Sequence, residues 1–323
     1  MKANATASAP GKLMMTEEEN QADTSCCATC GKAEIDDIKL KDCDGCDLVR
    51  YCSDACRQLH RQKHAGKCRK RVAELRDELL FKQPESSDVG DCPICSLPMP
   101  FDHTKGTVMG CCSKLICGGC DYANQRRQLE MRLDQRCPFC REHTPRTDEE
   151  YDKLEIKRIE ANDPMAMCQK AANERDKGNH SSAFEYWTKA AALGDAQAHY
   201  MLADLYNEGE GVENDEAKYI HHLEEAAIGG HPGARYFLGF EEWNNNVNTE
   251  RAAKHWMIAA KQGHDASMKE LMEMFKEGFV EKEDLATALR AHKAALDATK
   301  SPQREAAEKS RGFTGVEEME MIR

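Results

Sequence analysis

The chain has 323 residues, of which 40% are hydrophobic, with a mean hydropathy of -0.73 and a formal net charge of -12. No run of about 18 apolar residues is present, which excludes a helical membrane span, and the acidic balance disfavours nucleic acid and anionic bilayers as partners. The length accommodates two or three domains.

Residues 1–25 are small and polar, with no apolar signal-peptide core and no arginine, and read as a disordered segment carrying neither a secretion nor a mitochondrial signal. Of the 17 cysteines, 16 precede residue 141. Their spacing is that of metal ligands, so the expectation is zinc in a reducing, intracellular setting rather than a disulfide framework. Cys168 stands apart and is expected as a buried helical residue.

The first cysteine group occupies residues 26–68. It reads Cys27-Ala-Thr-Cys30, Cys43-Asp-Gly-Cys46, Cys52, Cys56, His64 and Cys68. The last ligands are widely spaced because residues 53–67 are expected to be helical, so that helical turns replace the tight knuckles of the first half. Cys26 is left over, since Cys27 alone leaves two residues before Cys30, and His60 is read as a surface residue. The group resembles a MYND finger, including the aromatic Tyr51 before the fifth ligand. The resemblance implies a cross-brace: Cys27, Cys30, Cys52 and Cys56 on one zinc, Cys43, Cys46, His64 and Cys68 on the other. Where family members that bind proline-rich peptides carry glutamine and tryptophan, this chain has Arg57 and Arg61, so metal binding carries over and peptide specificity does not. A basic island runs through Arg57, Arg61, Lys63, Lys67, Arg69, Lys70 and Arg71. Its functional reading is nuclear import or an acidic partner, and its plainer reading is a solvated helical face. Cytoplasm, with the nucleus as the alternative, is the expected location.

Residues 69–90 join two modules. Helical periodicity covers 71–81 through Val72, Leu75, Leu79 and Leu80, and 83–90 read as a linker.

Residues 91–142 hold eight more cysteines: Cys92-Pro-Ile-Cys95, Cys111-Cys112, Cys117-Gly-Gly-Cys120 and Cys137-Pro-Phe-Cys140. Three pairs have the two-residue gap that aims both thiolates at one tetrahedral ion. So short a segment needs metal as its core. The stretch resembles a RING finger, which implies that Cys92, Cys95, Cys117 and Cys120 share one zinc, and Cys111, Cys112, Cys137 and Cys140 the other. Lys114 stands where most members have a ligand histidine; Cys111 and Cys112 together complete the second site, with His103 as the alternative ligand. By the same resemblance Ile94 and Pro138 would dock a ubiquitin-conjugating enzyme and Arg141 would hold ubiquitin's carboxyl terminus.

Residues 143–162 are a linker or helix. Beyond them Trp187-x-x-Ala190-Ala191-x-x-Gly194 recurs from Leu223 to Gly230 and from Trp256 to Gly263, at offsets of 36 and 33 residues. A period near 35 marks stacked helix pairs, and residues 163–299 resemble Sel-one-like repeats of the tetratricopeptide type. His221 and His222 are read as solvated. Residues 300–323 are charged and expected to be disordered.

The expected fold is thus multidomain, two zinc-stabilised cross-brace fingers holding four ions, followed by an all-α helical-repeat solenoid. No nucleophile with a placed base, phosphate loop or open metal position is visible, and closed zinc sites do not activate water. Ile94, Pro138 and Arg141 favour a RING-type ubiquitin ligase that positions a conjugating enzyme and a protein substrate held by the repeats or the MYND finger; the alternative is a non-catalytic protein-interaction adaptor.

Overall fold

The computed structural model describes residues 25–35, 38–244 and 248–312. Apart from Ser25, the disorder expected at residues 1–25 falls outside them, as does that expected beyond residue 312. The chain divides into two units, Met1–Glu78 and Leu79–Arg323.

The first unit has little apolar matter. β1 (Lys41–Asp42) pairs antiparallel with β2 (Arg50–Tyr51), Cys27 bridges to Arg50, and the buried apolar cluster is Cys27, Leu40 and Tyr51. Three such side chains contribute roughly 1.5–3 kcal/mol each, far below the roughly 1–2 kcal/mol per residue needed to order the backbone around them. Something other than apolar burial must hold this unit together. Helix α1 (Asp54–Leu80) begins here, with the Ser53 hydroxyl accepting from the Cys56 amide at 3.3 Å. The sequence suggested two helices, over 53–67 and 71–81. One continuous helix forms instead, because no proline intervenes and Gly66, in open space, costs only about 1 kcal/mol.

The second unit starts with the other cysteine group. β3 (Gly106–Met109) and β4 (Lys114–Cys117) form a hairpin in the register Gly106 to Cys117 and Met109 to Lys114, leading into α2 (Gly118–Glu130). Residues 143–162, open between linker and helix, hold α3 (Asp148–Glu160), capped by Thr147 Oγ1 accepting from the Glu150 amide. Eight helices follow: α4 (Pro164–Asp176), α5 (His180–Ala192), α6 (Ala196–Glu208), α7 (Glu216–Ile228), α8 (Pro232–Asn244), α9 (Thr249–Lys261), α10 (Asp265–Lys276) and α11 (Lys282–Ala298), each packed on the next. Residues 300–323, expected as a disordered tail, instead include α12 (Pro302–Gly312), started by Ser301 Oγ accepting from the Arg304 amide at 3.2 Å.

The repeated sequence has a repeated physical role. Gly194, Gly230 and Gly263 end α5, α7 and α9 at φ of 85°, 94° and 93°, which a side chain would resist. The residue after each caps the next helix. Asp195 accepts from Ala198 N at 2.8 Å, His231 Nδ1 from Ala234 N at 3.0 Å and His264 Nδ1 from Ser267 N at 3.2 Å. Between these punctuation points Trp187 and Trp256 are buried and the paired alanines let helices approach.

Residues 80–90 are not a free linker. Leu80 is 1% exposed within the α6–α8 core, and the fully buried Arg235 donates to the carbonyls of Leu80 (2.6 Å), Lys82 (3.3 Å) and Ala227 (3.0 Å). Phe81 packs on His255, and the backbone of Ser86, Ser87 and Asp88 runs against Gly230. Phe101 sets its ring edge against His264. The cysteine-rich module and the helical array therefore form one body.

Two outcomes follow from this packing. A Cβ on Gly239 would lie 2.2 Å from Trp256 Nε1, so Gly239→Ala should lose about 1–3 kcal/mol in denaturant unfolding of the array. His255 is buried with neither ring nitrogen hydrogen-bonded, and burial, then Arg235 and Arg251, push its pKa down to about 3. The unfolded chain takes up this proton first, so the contribution is intact above about pH 6.5 and is lost as pH falls toward 3. His255→Leu should therefore leave the Tm at pH 7 equal or higher and flatten its decline between pH 6.5 and 5.

Candidate metal centres

Three of the five Cys-x-x-Cys knuckles are built by the same local turn. The amide of the residue after the second cysteine donates to the carbonyl of the first: Gly31 to Cys27 at 2.8 Å, Ser96 to Cys92 at 2.8 Å, Arg141 to Cys137 at 3.0 Å. That residue is left-handed in all three, with φ of 70°, 54° and 66°. The turn leaves both sulfurs on its inner side.

Among the described residues four groups of ligand atoms result, each with all members within 4.8 Å: Cys27, Cys30, Cys52, Cys56; Cys43, Cys46, His64, Cys68; Cys92, Cys95, Cys117, Cys120; and Cys111, Cys112, Cys137, Cys140. In both modules the first and third pairs meet, and the second and fourth. A tetrahedral zinc with sulfur at about 2.3 Å requires sulfurs about 3.8 Å apart. Observed separations include 3.8 Å for Cys43 to Cys68, 3.7 Å for Cys52 to Cys56, 3.8 Å for Cys95 to Cys117 and 3.9 Å for Cys112 to Cys137. The donor sets and their spacing fit zinc, and all 17 cysteines are free thiols. Metal bound there would supply structural cross-links and, with four protein ligands per site, no open position.

The thiols of one group are not equivalent. Burial opposes ionisation of Cys27, but backbone N–H groups at Cys30, Cys52 and Thr29 outweigh it and bring its pKa down to about 6. Cys92 is likewise resisted by burial and lowered to about 7 by the amides of Cys117, Cys95 and Ile94. Against these, the neighbouring Cys30 and Cys56 sulfurs hold Cys52 up at about 12. Cys43 and Cys137, likewise resisted by burial, are lowered by the amides of Gly45 and Cys46 and of Cys140 and Phe139, and a bound cation would offset the mutual repulsion of further thiolates. Burial, then His60 and Lys67, lowers the pKa of His64, which favours the neutral imidazole that can ligate.

Cys111 and Cys112 both join the last group. His103 lies in the short turn His103–Lys105, and its side chain is outside the described ones. Lys114 stands over the Phe139 ring, 5.8 Å from its centre. Cys26 belongs to none of the four groups. His60 holds the Tyr51 hydroxyl through Nδ1 at 3.1 Å, and Cys168 is buried with its sulfur 3.3 Å from Asp195. Among the basic island, Arg57 pairs with Asp44 and Asp54, and Arg71 with Asp47 and Glu78. His222, expected to be solvated, is half-buried, its Nδ1 3.0 Å from that of His199.

Ile94 and Pro138 occupy the interiors of two knuckles. Ile94 is 42% exposed and Phe139, beside Pro138, 43%. Arg141 is exposed at its left-handed position. Sequence reasoning missed Arg304, whose guanidinium reaches the Cys95 sulfur. The signal was there in Ser301-Pro302, a helix start followed by helix-forming residues.

Comparison with known proteins gives partial matches. Residues 27–68 match the MYND finger family. A stretch of 87 residues, 27% of this chain and 14% of the relative's length, is 31% identical to chitin synthase regulatory factor 4 of Schizosaccharomyces pombe. A Sel1 repeat protein from Oxalobacter formigenes superposes with a TM-score of 0.42 at 24% identity, covering 52% of this chain and 51% of that one. A protective antigen of uropathogenic Escherichia coli, c5321, described as displaying an SLR fold, gives 0.37 at 21% identity, covering 53% and 37%. The chain thus spans 14% of the curated relative and about half or less of the two solved structures. The assignment of helix pairs rests on the chain's own repeated caps and glycines.

Proposed function

We propose that this protein is a zinc-braced adaptor that binds other proteins through its MYND finger and helical array. It holds four zinc ions, two per cysteine-rich module, and acts inside the cell. The observation that carries this reading is the union of the second cysteine-rich module with the array, which presents knuckle tips and helix faces at a fixed separation. Four-ligand groups that leave a bound zinc no open position argue against metal-assisted hydrolysis at these sites. The relative named as a regulatory factor is in keeping with a role exercised through partners.

A second reading is a RING-type ubiquitin ligase. It is favoured by the exposed Ile94 at a knuckle tip of a cross-braced cysteine module. In that reading Ile94 and Pro138 dock a charged conjugating enzyme and Arg141 steadies ubiquitin, so transfer is accelerated by positioning alone.

Single-turnover discharge of ubiquitin to free lysine, from a panel of charged conjugating enzymes and with the full zinc-loaded chain, separates the two. The adaptor reading expects the rate measured without the chain, unchanged in Ile94→Ala and Arg141→Ala. A faster discharge that both variants abolish would replace it with the ligase.

A further inference from the structure

Helix α12, the last among the described residues, lies against the second cysteine-rich module in a close approach. Gly119, in the first turn of α2, has no room for a side chain: a Cβ there would stand 2.7 Å from the Arg304 amide nitrogen. Lys105 and Glu308 close the far side with an ion pair at 2.9 Å. Arg304 itself is 7% exposed. Its Nη1 donates to Pro98 O at 2.6 Å and Thr299 O at 2.7 Å; its Nη2 donates to Leu97 O at 3.2 Å and faces Cys95 Sγ at 3.6 Å.

Three of these contacts, to Cys95, Leu97 and Pro98, bear on the metal group formed by Cys92, Cys95, Cys117 and Cys120. Leu97 and Pro98 belong to the loop that follows Cys95, so the guanidinium fixes the backbone that carries this ligand. Four thiolates around one divalent ion leave two net negative charges in a largely buried place, and no other ligand set in the chain has a cation seated on a sulfur in this manner among the described hydrogen bonds. A buried guanidinium is costly unless its donors are used; here three carbonyls and a sulfur take both Nη groups, and the buried Nε is left without a partner. Lysine, with a compact ammonium, cannot span the same acceptors in one plane.

We propose that Arg304 is the outer-sphere residue of this zinc site: it donates to the Cys95 thiolate, offsets the negative charge of the loaded site and couples metal retention to the docking of α12. The module is then completed by a helix more than 160 residues away in sequence, and loss of α12 weakens the metal site even though all four ligands remain. The inference does not depend on whether the chain is an adaptor or a ligase.

The test uses the full zinc-loaded chain with Arg304→Ala, Arg304→Lys and Lys105→Ala. Zinc transfer to a colorimetric chelator should be about 10–100-fold faster for one ion in Arg304→Ala, with partial rescue in Arg304→Lys. In cobalt-substituted protein, the sulfur-to-cobalt charge-transfer band should shift in Arg304→Ala and stay in place in Lys105→Ala, which loosens α12 without touching a sulfur. Should Arg304→Ala fail to fold, Arg304→Lys carries both readouts, with a smaller shift and a smaller acceleration. Wild-type release rates in the Arg304 variants, or the same release and band shift in Lys105→Ala, would overturn the proposal by reducing Arg304 to a helix anchor.

Discussion

Thiolates held within 4.8 Å of one another repel, and the backbone of this chain nevertheless brings four such groups together. Amide N–H donors at the knuckles favour the first charges, at Cys27, Cys43, Cys92 and Cys137, whereas Cys52, Cys111 and Cys120 resist theirs until a cation is present. The apolar alternatives are meagre. Leu40 and Tyr51 in one module, Met99 and Ile116 in the other, form clusters that also contain the ligand cysteines themselves. Metal, amide dipole and small core are thus one cooperative element, because the same residues belong to all three.

The array is held by different physics. Its cores are alanine, leucine and tryptophan around helix ends punctuated by glycine and capped from a repeating position. Among the described residues no group of metal-ligand atoms lies in it, and it packs against the module that carries two of the groups. Arg235 ties the carbonyls of Leu80 and Lys82 into the array, Phe101 rests on His264, and α12 closes on α2 through Arg304 and Gly119. Surfaces fixed in this way are what an adaptor needs and what a positioning ligase would need equally.

Much of this was legible in the sequence, for physical reasons that differ by region. Metal ligands must be cysteine or histidine at short, turn-defined spacings, so Cys92 and Cys95 or Cys137 and Cys140 declare themselves; which pairs share an ion came from family resemblance. Gly194, Gly230 and Gly263 were readable because a left-handed helix end restricts residue choice. The seating of residues 80–90 was hidden, since a buried Arg235 is visible only once its acceptors, some 150 positions away, are in place. The docking of α12 was hidden for the same reason: charged composition suggested disorder, whereas Lys105 and the carbonyls of Leu97 and Pro98 supply the complement. The α1 continuity across residues 68–70 was missed because two zinc-related and apolar patterns met there without a break between them.

The most direct measurement is hydrogen exchange of the full chain, zinc-loaded and after chelation. If metal supplies the core of both cysteine-rich modules while apolar packing supports the array, chelation should remove protection from residues 27–52 and 92–140 and leave α5 to α10 protected. Protection that persists in both modules without metal, or that vanishes from the array with it, would contradict the account.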